Sequence, residues 1–305
     1  MKSFNHFLRE IGVSNDLRSL LYHIARSIKY INFAIRAGDT GLNKSCNPSG
    51  EDQLKLDVMS DKIIEKELEN SELAKIIASE EQEEPKKFQA PRGSFAIAYD
   101  PLDGSSLVDA NLAIGSIFGI WPGDNFLGQT GNDMVAACYG LYGPRITFVI
   151  AIKNLGTHEF ELNDVGEFIL TRKNLKIIAD SKYFAPGNLK VCSENINYKN
   201  LVDIWMNEPK KLRYSGGMTP DLHHILSKGQ GQFTYPCCQK HKNGKLRLLF
   251  ECDPFSFIFS EAGGIAKNQY GTNILDIKIK EIHQKTSIFI GSKNEVEKSI
   301  KIMNK

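Results

Sequence analysis

An α/β fold is what this amino-acid sequence predicts, on three observations. Amphipathic helical repeats occupy its beginning, short β-rich apolar runs fill its middle, and helix and strand patterns alternate towards its end. The chain has 305 residues, 41% hydrophobic and 24% charged. That is enough for two domains with a substantial core, and it excludes a disordered or fibrous chain.

Taken in order, Leu17, Leu20, Leu21, Ile24, Ile28, Ile31 and Ile35 recur at helical spacing, with Ser14 or Asn15 as cap and Gly38 as stop. Residues 39–50 are rich in Gly, Asn, Ser and Pro and read as an exposed loop. A second helix is predicted from near Asp57 to Glu80, turning Val58, Ile63, Ile64, Leu68, Leu73, Ile76 and Ile77 inward. After Pro85 the runs 95–99, 114–120 and 146–152 read as strands, with a hairpin at Asn163-Asp164-Val165-Gly166. The polar stretch 181–200, broken by Pro186-Gly187, places a domain boundary near residue 183, giving units 1–183 and 184–305. A helix at 220–227, strands at 233–235 and 246–251, and a helix at 255–262 stopped by Gly263-Gly264 complete the pattern.

Thirty-eight basic residues against thirty-six acidic ones leave a charge of +2, with the lysines scattered, so nucleic acid is not the expected partner. No apolar run approaches the ~18 residues of a membrane span, and the first residues are too polar for a signal-peptide core. The chain reads as soluble and cytoplasmic. Its six cysteines, at 46, 138, 192, 237, 238 and 252, form no C-x-x-C and read as reduced thiols. Cys237-Cys238 suit packing or simple exposure better than redox work. His223-His224 are neighbours that cannot share a helix face and read as surface residues, and Trp121 reads as core.

Tyr99-Asp100-Pro101-Leu102-Asp103-Gly104-Ser105-Ser106 directly follows an apolar strand, and strand ends are where α/β enzymes place their sites. Pro101 sets a turn in which two carboxylates can converge. Gly104 admits a ligand close to the backbone, and the residues after it offer free N–H groups to a phosphate. A plain Pro-x-Asp-Gly turn is the structural alternative. Glu80-Glu81 could add carboxylates, although Glu83 and Glu84 follow and, taken alone, a merely solvated run describes them better. Glu251 closes an apolar strand. Magnesium held by carboxylates and substrate phosphate accounts for the three clusters together.

Ala78-Ser79-Glu80-Glu81, the DPLDGSS run at 100–106, Arg213-Tyr214-x-Gly216, the run Gly244 to Glu251, and Glu261-Ala262-Gly263-Gly264 resemble class 1 fructose-1,6-bisphosphatases and their relatives the sedoheptulose-1,7-bisphosphatases, over nearly the whole chain. The resemblance implies a layered α-β-α-β-α sugar phosphatase fold with two mixed sheets. It implies that Glu80, Glu81, Asp100, the Leu102 carbonyl, Asp103 and Glu251 hold two or more magnesium ions, with manganese able to substitute. Asp57 and Glu81 would orient and deprotonate the attacking water. Glu51 would sit on a loop that closes over the metals, and Arg247 beside the reacting phosphate. Asp103, Gly104, Ser105 and Ser106 would meet substrate, and Met218 would line the sugar. Asn195, Tyr198, Tyr214, Tyr235 and Lys245 would hold the remote phosphate, with Arg213 reaching in from a neighbouring subunit of a homo-oligomer, a tetramer.

The chemistry agrees with those roles. A phosphate monoester dianion repels hydroxide, so a site must neutralise charge and generate a nucleophile near neutral pH. Fructose 1,6-bisphosphate is the expected substrate, losing its phosphate at carbon 1. Sedoheptulose 1,7-bisphosphate, alone or in addition, is the alternative, because residues 121–124, 141–145 and 213–221 look closer to that branch while Tyr235-Pro236 looks like the fructose branch. A non-catalytic sugar-phosphate sensor would not need the full set of acids. Two departures from the family stand out. The positions of the plant-type redox cysteine pair are Thr40 and Ser45, so no activation by dithiols is expected. The usual AMP contacts are replaced by Ser14-Asn15-Asp16-Leu17-Arg18, Ser94-Phe95 and Pro122, so no AMP inhibition is expected.

Overall fold

The computed structural model of the chain describes residues 2–37, 42–46, 52–89 and 92–305; the expected stop Gly38, Thr40 and Glu51 lie outside them. A short helix α1 (Phe4–Glu10) opens the fold, and its 7 residues are too few to give a periodic signal. The first predicted helix is α2 (Asn15–Ala37), and Leu17, Leu20, Leu21, Ile24, Ile28 and Ile31 are all buried. Within the expected loop, β1 (Leu42–Cys46) instead pairs antiparallel with β2 (Asp52–Leu54).

The second predicted helix needs correction. Helix α3 (Lys55–Ser71) stops at Ser71, and β3 (Ala74–Ser79) is a strand. Ser71 Oγ donates to the Leu68 carbonyl at 2.6 Å and accepts from the Leu73 N–H at 3.1 Å, while Glu72 takes a φ of 57°. Local side-chain bonding and a left-handed residue thus end the helix. Leu73, Ile76 and Ile77 are buried as expected, but Ile76 and Ile77 from a strand and Leu73 from the connection before it, since a short apolar run satisfies either period.

Strand β3, β4 (Lys86–Lys87), β5 (Phe95–Asp103), β6 (Ile114–Pro122), β7 (Ala136–Tyr142), β8 (Ile146–Ile152), β9 (Gly156–Leu162) and β10 (Phe168–Arg172) form one sheet in the order β10-β9-β8-β7-β6-β5-β3-β4. In it β3 and β5 run parallel and the other pairs antiparallel. Then come β11 (Tyr183–Pro186), β12 (Lys211–Leu212), β13 (Gln232–Tyr235), β14 (Leu246–Arg247), β15 (Ile265–Lys267), β16 (Lys285–Thr286) and β17 (Ile288–Gly291). Five of these form a second mixed sheet, β12-β11-β13-β17-β15, and β14 pairs with β16 in a separate ribbon.

Side-chain alternation sorts the strands into layers. On β5, Ile97 and Tyr99 face a core built with α1, α2 and α3, whereas Ala96 and Ala98 face a second core shared with α5 (Met218–Lys228) and α6 (Asp253–Glu261). That second core continues to Phe233, Ala266 and Ile290 of the second sheet, whose far face is covered by α4 (Ile196–Asn207) and α7 (Lys293–Met303) through Phe184, Trp205 and Phe289. The result is the expected α-β-α-β-α order with two mixed sheets. Trp121 is fully buried and donates from Nε1 to the Thr130 carbonyl at 2.9 Å.

Two local expectations change. The predicted strand 246–251 is a strand only at Leu246–Arg247 and then a π-helical turn, Leu248–Cys252, that leads into α6. His223 and His224 are half-buried rather than fully exposed. His223 Nδ1 lies 2.8 Å from the Tyr139 hydroxyl, and burial lowers its pKa to about 4. Burial also lowers that of His224.

Candidate active site

Because β3 and β5 are parallel neighbours, with Ser79 opposite Tyr99, the end of β3 lies beside the point where Asp100 follows on β5. Glu80 follows β3 directly and its N–H donates to the Tyr99 carbonyl at 3.1 Å. Asp100 and Asp103 would face opposite sides of a regular strand. The β5–β6 register slips, however: Asp100 faces Ile117 and Asp103 faces Gly115, so three residues on β5 span two on β6. This bulge brings both carboxylates to one side. Asp100 Oδ1 accepts from the Leu102 N–H at 2.9 Å, and Gly104, with φ +80°, turns the chain into the short helical turn Ser105–Leu107.

Other elements complete the cluster from a distance in sequence. The first turn of α5 packs against β6 at Gly115, where an added Cβ would stand 2.3 Å from Thr219 Cγ2. This close approach lets the Thr219 N–H reach Asp103 Oδ2 at 2.5 Å. The π-helical turn folds Glu251 back so that its Oε2 accepts from the Arg247 N–H at 2.6 Å. Arg247 Nη1 lies 2.9 Å from Glu80 Oε1, and Asp57 enters from the first turn of α3. Ligand oxygens of Asp100, Asp103 and Glu251 all lie within 4.8 Å of one another.

Electrostatics give this cluster its character. Burial first, then the neighbouring carboxylates led by Glu80, hold Asp100 and Glu251 well above the usual carboxylate range. Asp103 rises to about 6, again chiefly through burial, with the Thr219 hydrogen bonds opposing. Glu80 Oε2 is buried and has no hydrogen-bond partner among the described residues. Carboxylates this crowded suit a hard divalent cation, which satisfies their oxygens and cancels their repulsion. The donor set therefore fits magnesium.

The acids open into a cavity of about 380 Å³. Of the residues named from sequence, Asp57, Glu80, Glu81, Asp100, Leu102, Asp103, Gly104, Ser105, Ser106, Tyr214, Met218, Tyr235, Lys245, Arg247 and Glu251 line it. Asn195, Tyr198 and Arg213 do not. Asn195 Oδ1 caps α4 by accepting from the Asn197 and Tyr198 N–H groups. Tyr198 is fully buried, its hydroxyl donating to the Gly187 carbonyl at 2.8 Å and meeting Thr234 Oγ1 at 3.0 Å. Arg213 is exposed and donates to the Leu212 carbonyl.

Sequence reasoning missed two acids that hold the site in shape. Asp61, one helical turn after Asp57, accepts from the Tyr99 hydroxyl at 3.0 Å and from Gln82 Nε2 at 2.8 Å, which fixes the strand end and the turn after Glu81. Its i, i+4 spacing from Asp57 was the available signal. Asp221, in the first turn of α5, accepts from the Ser215 N–H at 2.7 Å and the Gly216 N–H at 3.3 Å and so holds the Tyr214–Gly217 loop.

Residues 4–173 match the family described as fructose-1-6-bisphosphatase, N-terminal domain, and residues 177–304 its C-terminal domain. The chain is 44% identical over 304 residues to a class 1 fructose-1,6-bisphosphatase of Trichlorobacter lovleyi, covering 99% of this chain and 95% of that protein. It is 40% identical to a chloroplastic sedoheptulose-1,7-bisphosphatase of Spinacia oleracea, covering 96% of this chain and 76% of that protein. The fold is similar to the crystal structure of Leishmania major fructose-1,6-bisphosphatase in holo form, with a TM-score of 0.94 and 31% identity over 100% of this chain and 99% of that one. Site and fold thus converge with these likenesses: the chain belongs to the fructose-1,6-bisphosphatase family.

Proposed function

We propose that the chain is a magnesium-dependent sugar bisphosphatase that hydrolyses fructose 1,6-bisphosphate to fructose 6-phosphate and inorganic phosphate. One observation carries the reading: buried carboxylates crowd one cavity that also presents Lys245, Arg247, Tyr214 and Tyr235. Such a cavity takes cations and anions together. Bound magnesium, or manganese in its place, supplies positive charge against the phosphoryl oxygens and acidifies water. Glu80, Asp100, Asp103, Glu251 and the Leu102 carbonyl are its proposed ligands, shared with Glu81.

Asp57 and Glu81 orient the attacking water and take its proton as its oxygen closes on phosphorus. The bond from phosphorus to the sugar oxygen breaks in line, and Arg247 donates to the phosphoryl group. Lys245, Tyr214 and Tyr235 grip the remote phosphate, and Met218 packs on the sugar, so binding energy far from the reacting bond orients it. Asn195 and Tyr198 act one step back, because Tyr198 ties Gly187 to Thr234 beside Tyr235. Arg213 serves a neighbouring subunit in a homotetramer. Units 1–183 and 184–305 are the proposed domains, with the site between them. The glutamate predicted to close over the metals, Glu51, keeps that role as part of the proposal.

Sedoheptulose 1,7-bisphosphate is the second reading, favoured by the 40% identity to the spinach protein, and one extra hydroxymethylene is a small difference for a pocket to reject. Phosphate release from both bisphosphates and from inositol 1-phosphate, with and without magnesium, tests the proposal. Metal-dependent release from fructose 1,6-bisphosphate well above the other two is expected. No release from either bisphosphate overturns it.

A further inference from the structure

A second cavity, of about 650 Å³, shares a wall with the first. The wall is the β14–β16 ribbon and the loop before it. Leu246 and Arg247 line the catalytic cavity, whereas their ribbon partners Thr286 and Lys285 line the second one. Lys242 and Asn243 line the second cavity just ahead of Lys245 in the first. Its volume falls in the range of small-molecule sites, about 300–1,000 Å³.

Its chemistry is that of an anion site. Lys242, Lys280 and Lys285 border it with Glu281 as the one acid in the lining, and among the described residues none of the three ammonium groups has an ion pair or a hydrogen bond. Three lysines against one acid leave the lining net positive, which favours a bound anion. His283, also in the lining, offers a ligand a different contact. Its Nε2 donates to the Gln82 carbonyl at 2.9 Å, so its buried Nδ1, which has no partner among the described residues, is an acceptor open to a hydroxyl of a ligand. Asn268 holds the neighbouring turn through Oδ1, which accepts from the Tyr270 and Thr272 N–H groups, both at 3.0 Å.

We propose that this cavity is a second binding site, distinct from the catalytic one, for a small phosphorylated or otherwise polyanionic metabolite, held by Lys242, Lys280 and Lys285. The site stands whether or not the hydrolytic reading does, because its test reads occupancy rather than turnover.

The experiment is trace acetylation of lysines in the intact protein, quantified by peptide mass spectrometry, with inorganic phosphate compared against sodium chloride at equal ionic strength. Phosphate at twice its Kd should slow acetylation of Lys242, Lys280 and Lys285 about 3-fold, by mass action, while Lys240 and Lys278 react as before. In Lys280→Gln the protection of Lys242 and Lys285 should fall away, with hydrolysis in the absence of added anion unchanged. Equal slowing at all lysines, protection confined to Lys245, or protection that survives Lys280→Gln overturns the proposal.

Discussion

Glu80, Asp100, Asp103 and Glu251 share one buried pocket, and burial with the neighbouring carboxyls raises the cost of ionising Asp100 and Glu251. Two consequences separate catalysis from stability. Glu81→Gln removes the proposed base and Asp100→Asn a proposed ligand, so each should lower turnover by at least ~10²-fold in purified, folded protein. With a chelator present, Asp100→Asn should melt a few degrees above the wild type, since it removes buried repulsion while its Oδ1 still accepts from Leu102. Added magnesium should then raise the wild type more than the variant; thermal melts with EDTA or magnesium read both effects. His223 gives a pH prediction away from the metals. Its folded pKa of about 4 lies below the ~6.5 of an unfolded histidine, so between those values only the unfolded chain takes the proton. Stability from this residue is complete above pH 6.5 and lost as pH falls. Linkage gives about 2 kcal/mol lost between pH 7.5 and 5, a loss that His223→Gln should be spared in urea titrations at the two pH values.

At the scale of elements, the first turn of α2 bears on the expectation that a nucleotide phosphate does not bind there. Asp16 places a negative charge at the helix start and pairs with Arg92 at 3.3 Å, while Phe95 and Pro122 face each other across β5 and β6. Where the resemblance expects a lysine-tyrosine pair and an arginine, the chain has Ser94-Phe95 and Pro122, which carry no charge. Each lost charge-assisted contact is worth ~1.5–3 kcal/mol, so binding should weaken by orders of magnitude. Millimolar AMP should leave initial rates at saturating magnesium unchanged, and cooperative inhibition at micromolar AMP would refute this. The same scale shows what a sequence carries. The run 100–106 was legible because Pro101 and Gly104 mark a turn wherever they stand. The bulge that aligns Asp100 with Asp103 was not, because it depends on where β6 pairs. Glu251 was found, but its π-helical turn was not, since Leu248, Leu249 and Phe250 are apolar on every side, as in a buried strand. Residues 74–79 were read as helix for the same reason.

On the scale of the whole molecule, Arg213 and Tyr214 are sequence neighbours with different fates: Tyr214 lines the cavity, and Arg213 stands exposed 5.9 Å over the Tyr183 ring. If Arg213 completes a neighbour's site, mixing inactive Arg213→Ala subunits with inactive Glu81→Gln subunits should restore activity, because some hybrid interfaces then hold one intact site. Verified hybrids that stay inactive would count against a shared site. The cavity itself joins residues 57–106 to residues 214–251 across the two sheets. A nascent chain emerging from its N-terminus holds Asp57, Glu80, Asp100 and Asp103 long before Glu251 exists to close the cluster, and Thr219 arrives late as well. Cation affinity is therefore a property acquired at the end of folding, once these long-range contacts have formed. Magnesium should then slow unfolding severalfold and leave the refolding rate nearly untouched, a signature that stopped-flow denaturant jumps with and without the ion would reveal.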